Sequence, residues 1–143
     1  MKIGMRKLTD SAVTPTKGSE KAAGLDLYAD IDAACDIGPH KTAMIGTGIA
    51  MAIPDGFFGA VFARSGLAKK GLRPANCVGV VDSDYRGEIM VALHNDSDGV
   101  MTVEPNQRIA QLCVIPFLQV ELEEREELDD TERGAGGFGS TGA

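Results

Sequence analysis

The residues with the clearest chemical potential lie in the stretch 79–88, Gly-Val-Val-Asp-Ser-Asp-Tyr-Arg-Gly-Glu. Two aspartates, a tyrosine, an arginine and a glutamate fall within seven residues, and apolar runs flank the stretch at 77–81 and 89–93. Carboxylates this close repel each other and are costly to remove from water. The cluster therefore indicates either a site that binds a ligand or does chemistry, or a solvated turn in which Asp and Gly are turn formers.

Two earlier segments also combine polar residues with strand-like sequence. Asp26 interrupts the alternating run 23–29, and because Asp is depleted in strands it either helps to hold a hydrated cation or faces solvent. Ser65 follows Arg64 where a strand meets the one helix candidate, 65–71. Such a junction suits an anion, although simple capping of the helix by the serine is the commoner arrangement.

Two later segments add donors. Gln111 stands between two apolar residues and is either a surface polar residue or a directed hydrogen-bond donor. From Arg133 the chain is glycine-rich, with Phe138, Ser140 and Thr141 among the glycines. This tail is either disordered or an aromatic platform with anion donors on a backbone that wraps a ligand. Its GxGxxG pattern lacks the strand before and the helix after that a dinucleotide fingerprint needs.

Composition limits the class of protein. A chain of 143 residues with 43% hydrophobic and 24% charged residues suits one globular domain. No apolar run reaches the roughly 18 residues of a membrane span, and the N-terminus lacks the apolar core of a signal peptide. These features predict a mature intracellular, cytoplasmic protein.

The net charge of −7 is confined to one segment. Of the 21 acidic and 14 basic residues, eight acids and one arginine lie in 121–132, which leaves 13 of each elsewhere. The body is therefore neutral, and nothing indicates a basic face for polymeric nucleic acid. The acidic run is typical of a solvated linker.

The cysteines and histidines offer no metal-ligand spacing. Three well-separated cysteines fit neither a disulfide framework nor a zinc site, and Cys77 and Cys113 lie in apolar runs that predict buried free thiols. His40 and His94 stand in separate turn-like segments, which favours surface positions.

Short apolar runs bounded by turn residues predict an all-β fold, a sandwich or barrel with one short helix at 65–71 that Ser65 could cap. The predicted strands are 2–8, 24–29, 43–53, 57–63, 77–82, 88–94, 99–103 and 108–120.

Taken together and in order, the segments 23–29, 63–68, 79–88, 108–112 and 133–142 resemble the five motifs of the trimeric deoxyuridine triphosphatase (dUTPase) family. The resemblance covers nearly the whole chain. It implies a barrel-like jelly roll that assembles as a homotrimer with active sites shared between subunits. It also implies a β-rich core at 1–120, an acidic linker at 121–132, and an arm at 133–143 that closes over the site.

The resemblance implies hydrolysis of dUTP to dUMP and pyrophosphate, which limits uracil in DNA and supplies dUMP for dTTP synthesis. Asp82 would be the general base for the water that attacks the α-phosphorus. Mg²⁺ would be held by phosphate oxygens and waters, with Asp26 binding one of those waters.

By the same resemblance, the substrate-binding residues divide by the part of dUTP that they contact. Tyr85 would lie against the deoxyribose. The uracil would be read by Asn76, the backbone of Val80 and Val81, and Met90, with Phe138 stacked on the ring. The phosphates would be held by Arg64, Ser65 and Gly66 with support from Gln111, and by Arg133, Gly139, Ser140 and Thr141 of the arm.

Two other interpretations remain open on the sequence. A dCTP deaminase resembles this family in fold, but it needs machinery to expel ammonia that we do not find here. A deoxynucleotide-sensing or structural β-domain without catalysis is the second alternative, against which stand Asp82 and the complete tail.

Overall fold

This computed structural model describes residues 1–137 of the chain, and short apolar runs between turn residues form strands from residue 4 to residue 116. The strands are β1 (Gly4–Lys7), β2 (Thr16–Lys17), β3 (Leu25–Tyr28), β4 (Cys35–Ile37), β5 (Thr42–Gly46), β6 (Ile49–Ala52), β7 (Phe57–Phe62), β8 (Leu72–Pro74), β9 (Val78–Val81), β10 (Met90–Asn95), β11 (Met101–Val103) and β12 (Arg108–Pro116). One helix, α1 (Ser65–Ala68), follows β7. The all-β prediction with one short helix is confirmed.

The largest sheet has the strand order β2-β3-β12-β7-β9, and the long strand β12 lies at its centre. β12 pairs with β3 through Gln111 and Asp26, and with β7 through Gln111 and Phe62. A second sheet has the order β5-β10-β8, and two ribbons join β1 to β6 and β4 to β11. All the described pairs are antiparallel, and most of them join strands that are not consecutive in the chain.

The core lies between these sheets and follows the two-residue period of the strands. In β10, for example, Val91, Leu93 and Asn95 point inward and the residues between them are more exposed. Leu27, Leu93, Val103 and Leu112 are fully buried aliphatic residues of this core. Branched aliphatic side chains dominate because they pack well on a pleated surface.

The predicted strand 43–53 is interrupted in the structure. Thr47 and Gly48 separate β5 from β6, and Gly48 has φ +62°, a left-handed conformation that ends the strand. The sequence also failed to indicate the short strands β2, β4 and β8, which carry too few residues to show an alternating pattern.

The helix differs from its prediction in length and in capping. α1 ends at Ala68 rather than reaching residue 71, and Ser65 is its first residue instead of its cap. Arg64 occupies the N-cap position and makes no side-chain capping hydrogen bond. Gly71, with φ +91°, ends the following turn.

The prediction of buried thiols is wrong for Cys77, which is exposed, and Cys113 is half-buried. Cys77 lies outside the sheet, in the turn before β9, where it has a left-handed backbone with φ +61°. The prediction extends the last strand to residue 120, whereas the observed strand ends at Pro116. Residues 117–137 contain neither strand nor helix. Within the described residues, no helix has the length and apolar character needed to span a bilayer.

Asn95 fixes the turn that follows β10. Its fully buried amide donates hydrogen bonds to the carbonyls of Ile37, Gly38 and Gly99 at 2.9, 3.2 and 2.7 Å. Its Oδ1 accepts hydrogen bonds from the backbone N–H and the hydroxyl of Ser97 at 2.9 and 2.7 Å. Every polar atom of the side chain is therefore satisfied, which makes the 95–99 turn rigid.

Gly48→Ala tests the break between β5 and β6. A Cβ on Gly48 would lie 2.6 Å from the Cβ of Ala12, and the backbone would be held at φ +62°. We expect a loss of about 1–2 kcal/mol from the left-handed backbone and a further loss of about 1–3 kcal/mol from overpacking, measured by urea denaturation.

Gly56→Ala is the matched control, because Gly56 has φ +78° and open space around its Cβ position. It should show only the backbone cost. Equal destabilisation of the two variants would contradict the role assigned to packing at Gly48.

Candidate active site

The first candidate site is a cavity of about 320 Å³ where β3, β12 and the start of α1 meet. Its lining includes Asp26, Arg64, Ser65, Gly66, Arg108 and Gln111. Two guanidinium groups, a hydroxyl and an amide therefore surround a single carboxylate. The donors outnumber the acceptor, so the cavity suits an anion.

Asp26 is the electrostatic centre of this cavity. Asp26 is only 7% exposed, and each of its two carboxylate oxygens accepts a hydrogen bond from a different arginine. Arg64 Nε donates to Oδ1 at 2.8 Å, and Arg108 Nη1 donates to Oδ2 at 3.2 Å. The solvent-facing alternative for Asp26 is thus excluded, and the two arginines supply the pairing that a buried carboxylate requires.

Gln111 acts as a directed donor at the back of the same cavity. Its Nε2 donates to the carbonyl of Ala63 at 3.0 Å, which holds the turn that carries Arg64 and Ser65. A Cβ on Gly24 would lie 2.7 Å from Gln111 Oε1, so only glycine leaves room for this side chain on β12. The sequence left the role of Gln111 open, and its neighbours in space decide it.

The second candidate site is a cavity of about 330 Å³ beside residues 82–89, the turn between β9 and β10. We call this turn the hairpin, although its two flanking strands belong to different sheets. Its lining residues are Met44, Val80, Val81, Asp82, Tyr85, Glu88, Ile89 and Met90. The lining is mostly apolar and carries two carboxylates, which suits a flat organic group next to a polar centre.

Hydrogen bonds within the hairpin hold its polar residues in place. The Tyr85 hydroxyl donates to the carbonyl of Glu88 at 2.9 Å, and the Tyr85 N–H donates to the carbonyl of Asp82 at 3.2 Å. Arg86 Nη1 donates to the carbonyls of Ser83 and Tyr85 at 2.6 and 2.9 Å. Asp82 itself is exposed, so its carboxylate is available to water.

The hairpin is anchored to the break between β5 and β6. The Gly48 N–H donates to Glu88 Oε1 at 2.8 Å, and the Thr47 hydroxyl donates to the carbonyl of Ile89 at 2.6 Å. The Ile89 N–H donates in turn to the carbonyl of Ile49 at 2.8 Å. Glu88 is therefore a structural acceptor, although it also lines the second cavity.

A third, more apolar cleft adjoins Asp82 and is lined by Phe58, Val80 and Phe117. The two phenylalanine rings meet edge to face with centroids 6.1 Å apart. Val80 is 63% exposed, which is unusual for an aliphatic residue of a strand. An apolar surface of this kind beside a polar loop is typical of a contact with another molecule.

The structure gathers the predicted site residues into two groups that share no lining residue. Asp26, Arg64, Ser65, Gly66 and Gln111 line the first cavity, whereas Val80, Val81, Asp82, Tyr85 and Met90 line the second. In the part of the chain that the structure describes, the first cavity contains no residue of the second group, and the second cavity contains no residue of the first.

The remaining predicted residues either line neither of these two cavities or lie outside residues 1–137. Asn76 is exposed, and its Nδ2 lies 3.4 Å from the position of a Cβ on Gly79, so it borders β9 without lining the second cavity. Arg133 is exposed and donates to the carbonyl of Gly136 at 2.9 Å. The predicted roles of Phe138, Gly139, Ser140 and Thr141 fall outside the described residues.

Sequence analysis assigned no role to Arg108 or Met44, and it treated Glu88 only as a member of the acidic cluster at 79–88. Arg108 opens a segment that was chosen for Gln111, and a charged residue at the start of a buried strand was the available signal. Met44 and Glu88 line the second cavity, and a methionine in a strand gives no sequence signal of its own.

The first cavity fits a cation only if that cation brings most of its own ligands. Among residues 1–137 no three His, Cys, Asp or Glu side chains are grouped as a metal site. Asp26 is the one carboxylate lining the first cavity. Mg²⁺ commonly keeps several waters and binds through one carboxylate and substrate phosphates, so this donor set is compatible with it.

Comparisons with known proteins agree with this geometry. A family model described as dUTPase matches residues 10–142. The deoxyuridine 5'-triphosphate nucleotidohydrolase of Hydrogenobaculum sp. (strain Y04AAS1) is 44% identical over 143 residues, which is 99% of each chain.

Solved structures give the same result for the fold. A mutant dUTPase of Staphylococcus bacteriophage 80alpha, solved with dUpNHpp, has a TM-score of 0.90 and 27% identity over 99% of each chain. A mutant dUTPase from phage phi11 of S. aureus, described as revealing the coordination of a structural Mg(II) ion, has a TM-score of 0.81 at 22% identity. It covers 91% of this chain and 100% of its own. These likenesses confirm the predicted jelly roll.

Asp26→Asn tests the arrangement of charges in the first cavity. The variant leaves two guanidinium groups facing a neutral amide, so we expect the free energy of unfolding at pH 7 to fall by about 2–4 kcal/mol. Urea denaturation measures this loss.

Asp32→Asn is the control, because Asp32 is exposed and should change stability by less than about 0.5 kcal/mol. If Asp26→Asn were as stable as this control, the carboxylate would not hold the two arginines as described.

Proposed function

The chain belongs to the dUTPase family, a family of hydrolases that act on the diphosphate bond of dUTP, and on this premise we propose how its two cavities carry out the reaction. The substrate is dUTP, and the products are dUMP and pyrophosphate. The proposal depends chiefly on one observation. An arginine-rich cavity suited to phosphates and an apolar cavity with an exposed carboxylate lie on the same chain without meeting.

Separate half-sites favour an assembly in which one subunit supplies the phosphate cavity and another supplies the hairpin. The family resemblance implies a homotrimer, and a closed ring of three copies would give three equivalent sites. Val80 and Met44 at the second cavity are 63% and 59% exposed, and Phe117 beside it is 40% exposed. Contact with a neighbouring copy would bury this apolar surface.

Asp82 would act as the general base. Its carboxylate takes a proton from a water molecule while the water oxygen forms a bond to the α-phosphorus. The bond from that phosphorus to the bridging oxygen breaks, and pyrophosphate leaves. Asp82 is exposed at the mouth of the hairpin cavity, where it can reach solvent, whereas Asp26 is buried between arginines and cannot serve this purpose.

Arg64, Ser65 and Gly66 would hold phosphate oxygens, with Gln111 fixing the turn that presents them. Arg64 uses Nε for Asp26, which leaves its terminal N–H groups for an anion. When bound with the substrate, Mg²⁺ supplies charge neutralisation on the triphosphate. Asp26 would accept a hydrogen bond from one of the ion's waters, through a carboxylate lone pair that the arginines do not use.

Selection of the base would depend on the free edge of β9. β9 is the last strand of its sheet, and among residues 1–137 its one partner is β7, so alternate backbone groups along Val80 and Val81 are not used by the ladder. These groups can read the donor–acceptor pattern of uracil, which cytosine reverses. A buried polar mismatch of this kind discriminates by about 10⁴ or more.

Selection of the sugar would depend on Tyr85. Its hydroxyl is bonded to the Glu88 carbonyl, so the ring is fixed across the hairpin and lies against the deoxyribose. A ribose 2′-hydroxyl placed against the ring would lose its water without a new partner, at a cost of about 1–3 kcal/mol. Met90 on the returning strand completes the wall of the cavity.

The glycine-rich arm would close the site, and the acidic segment 121–132 would tether it. Phe138 would stack on the uracil, while Arg133, Gly139, Ser140 and Thr141 would hold the distal phosphates. Residues 121–132 are exposed along their whole length, which is consistent with a tether.

A screen of the common nucleoside triphosphates for pyrophosphate release with Mg²⁺ tests this function. We expect dUTP to be cleaved, and UTP, dCTP and dTTP to be cleaved far more slowly, because each lacks one of the matched features. Release of ammonia from dCTP would instead indicate a deaminase. Absence of pyrophosphate release from every nucleotide would indicate a binding protein.

Asp82→Asn tests the assigned base within the same assay. The variant should bind dUTP normally and lose about 10²–10⁴ in turnover, since only proton transfer is removed. Asp84→Asn is the matched control, because Asp84 is exposed in the same turn and lines neither cavity. Undiminished turnover in Asp82→Asn would refute the assignment.

Truncation before Arg133 tests the role of the arm. The shortened chain retains all twelve strands and the helix, so we expect an unchanged circular dichroism spectrum and a trimer by light scattering. Turnover of dUTP should be largely lost, because the arm's contacts to base and phosphates are absent. Full activity in the truncated chain would remove the proposed lid.

A further inference from the structure

A row of polar side chains crosses the sheet β5-β10-β8 and ends at the turn 74–78, just before β9. Thr42 and His94 face each other across β5 and β10, with Oγ1 and Nδ1 2.9 Å apart. His94 Nε2 lies 3.4 Å from Asp96 Oδ1. Asp96 in turn binds Arg73, which lies opposite His94 on β8.

Arg73 joins this row to the turn through separate nitrogen atoms. Its Nε and Nη2 donate to the two carboxylate oxygens of Asp96 at 2.5 and 3.1 Å, which is a bidentate pair. Its Nη1 donates to the carbonyl of Pro74 at 3.2 Å and lies 3.9 Å from the sulfur of Cys77. The hydrogen bond with Asp96 also raises the pKa of Arg73 above its ordinary value.

Asp96 is a fixed anchor for this arginine. Its N–H donates to the carbonyl of Gly71 at 2.7 Å, and it follows the fully buried Asn95. The guanidinium group is therefore held from a rigid turn on one side. On the other side, the guanidinium group contacts Pro74 and Cys77 of the turn 74–78.

The turn 74–78 adopts an unfavourable conformation. Cys77 has φ +61°, a left-handed value that costs energy in a residue other than glycine. Two short backbone bonds close the turn, from Cys77 N–H to the Pro74 carbonyl at 3.2 Å and from Val78 N–H to the Asn76 carbonyl at 2.6 Å. Such a conformation persists only when neighbouring groups hold it.

The position of this turn determines where β9 begins. Asn76 lies over Gly79, and the next residues, Val80 and Val81, line the hairpin cavity. We propose that Arg73, anchored by Asp96, is a positioning residue that fixes the positions of Asn76 and of the free edge of β9, which read the base. This inference rests on the proposed function, because it assigns base recognition to that edge.

Positioning accounts for this pair better than stability does. The side chains of Arg73 and Asp96 are 37% and 40% exposed, and ion pairs at such exposure contribute little to the free energy of unfolding. A guanidinium group that makes two hydrogen bonds to one carboxylate does, however, fix the orientation of the arginine side chain, and the ammonium group of lysine cannot reproduce this pair of bonds. The pair should therefore affect recognition of the base more than it affects folding.

The test compares Arg73→Lys and Asp96→Asn with Asp98→Asn. Asp98 lies in the same 95–99 turn and faces His40 at 3.2 Å, with no contact to Arg73, so it is a matched control. For each full-length variant, kcat and KM are measured for dUTP and dCTP, the Kd for dUMP is measured by calorimetry, and the melting temperature is recorded.

We expect Arg73→Lys and Asp96→Asn to raise KM for dUTP and Kd for dUMP about tenfold, because Asn76 and the edge of β9 lose the contact that holds them in position. The kcat should stay within about twofold, because the catalytic carboxylate does not contact the row. The preference for dUTP over dCTP should fall by a similar factor. Asp98→Asn should match the wild-type protein in all four measurements.

Unchanged KM and Kd in both variants, or equal changes in Asp98→Asn, would overturn the inference. So would a fall in melting temperature without any loss of preference for uracil, since that pattern indicates a structural role alone. Failure of the wild-type protein to cleave dUTP would instead count against the proposed function. The Kd for dUMP would still decide whether Arg73 positions a base-reading edge, and absence of dUMP binding would overturn that role too.

Discussion

The ion pairs around Asp26 hold the walls of the first candidate cavity together. This buried carboxylate lies on β3, and its partners Arg64 and Arg108 lie at the start of α1 and on β12. A buried charge without partners is strongly destabilising, so the three segments must meet at this point for the chain to fold. The same requirement leaves both guanidinium groups at the wall of a cavity, where they can also meet an anion.

The two aspartates of the candidate site differ in environment, and this difference supports the different tasks proposed for them. Asp26 is enclosed by two arginines, whereas Asp82 is exposed on the hairpin beside an apolar cavity. The hairpin can expose Asp82 because Glu88 and Ile89 are tied to the 47–49 segment by three hydrogen bonds. A general base needs this combination of access to water and a rigid support.

In the proposed function, the edge strand β9 connects the fold to recognition of the substrate. It is held by β7 along one side and leaves its other side free, which gives a ligand access to backbone donors and acceptors. Its starting point is a left-handed turn at Cys77 that contacts Arg73. In the proposed trimer, this edge of one subunit would lie close to the arginine-rich cavity of another, and Val80, which is exposed in the single chain, would be buried.

The residue pattern by itself determined the all-β class, most of the long strands and the family, because alternating apolar runs and ordered motifs are local properties of the chain. It also selected Asp26, Arg64, Asp82 and Tyr85 as site residues. Only the tertiary structure decided that Asp26 is buried, that Arg108 shares it with Arg64, and that Cys77 is exposed. These outcomes depend on contacts between residues up to 82 positions apart, which no local pattern encodes. The break at Gly48 likewise follows from the contact with Glu88 rather than from the apolar run in which the glycine lies.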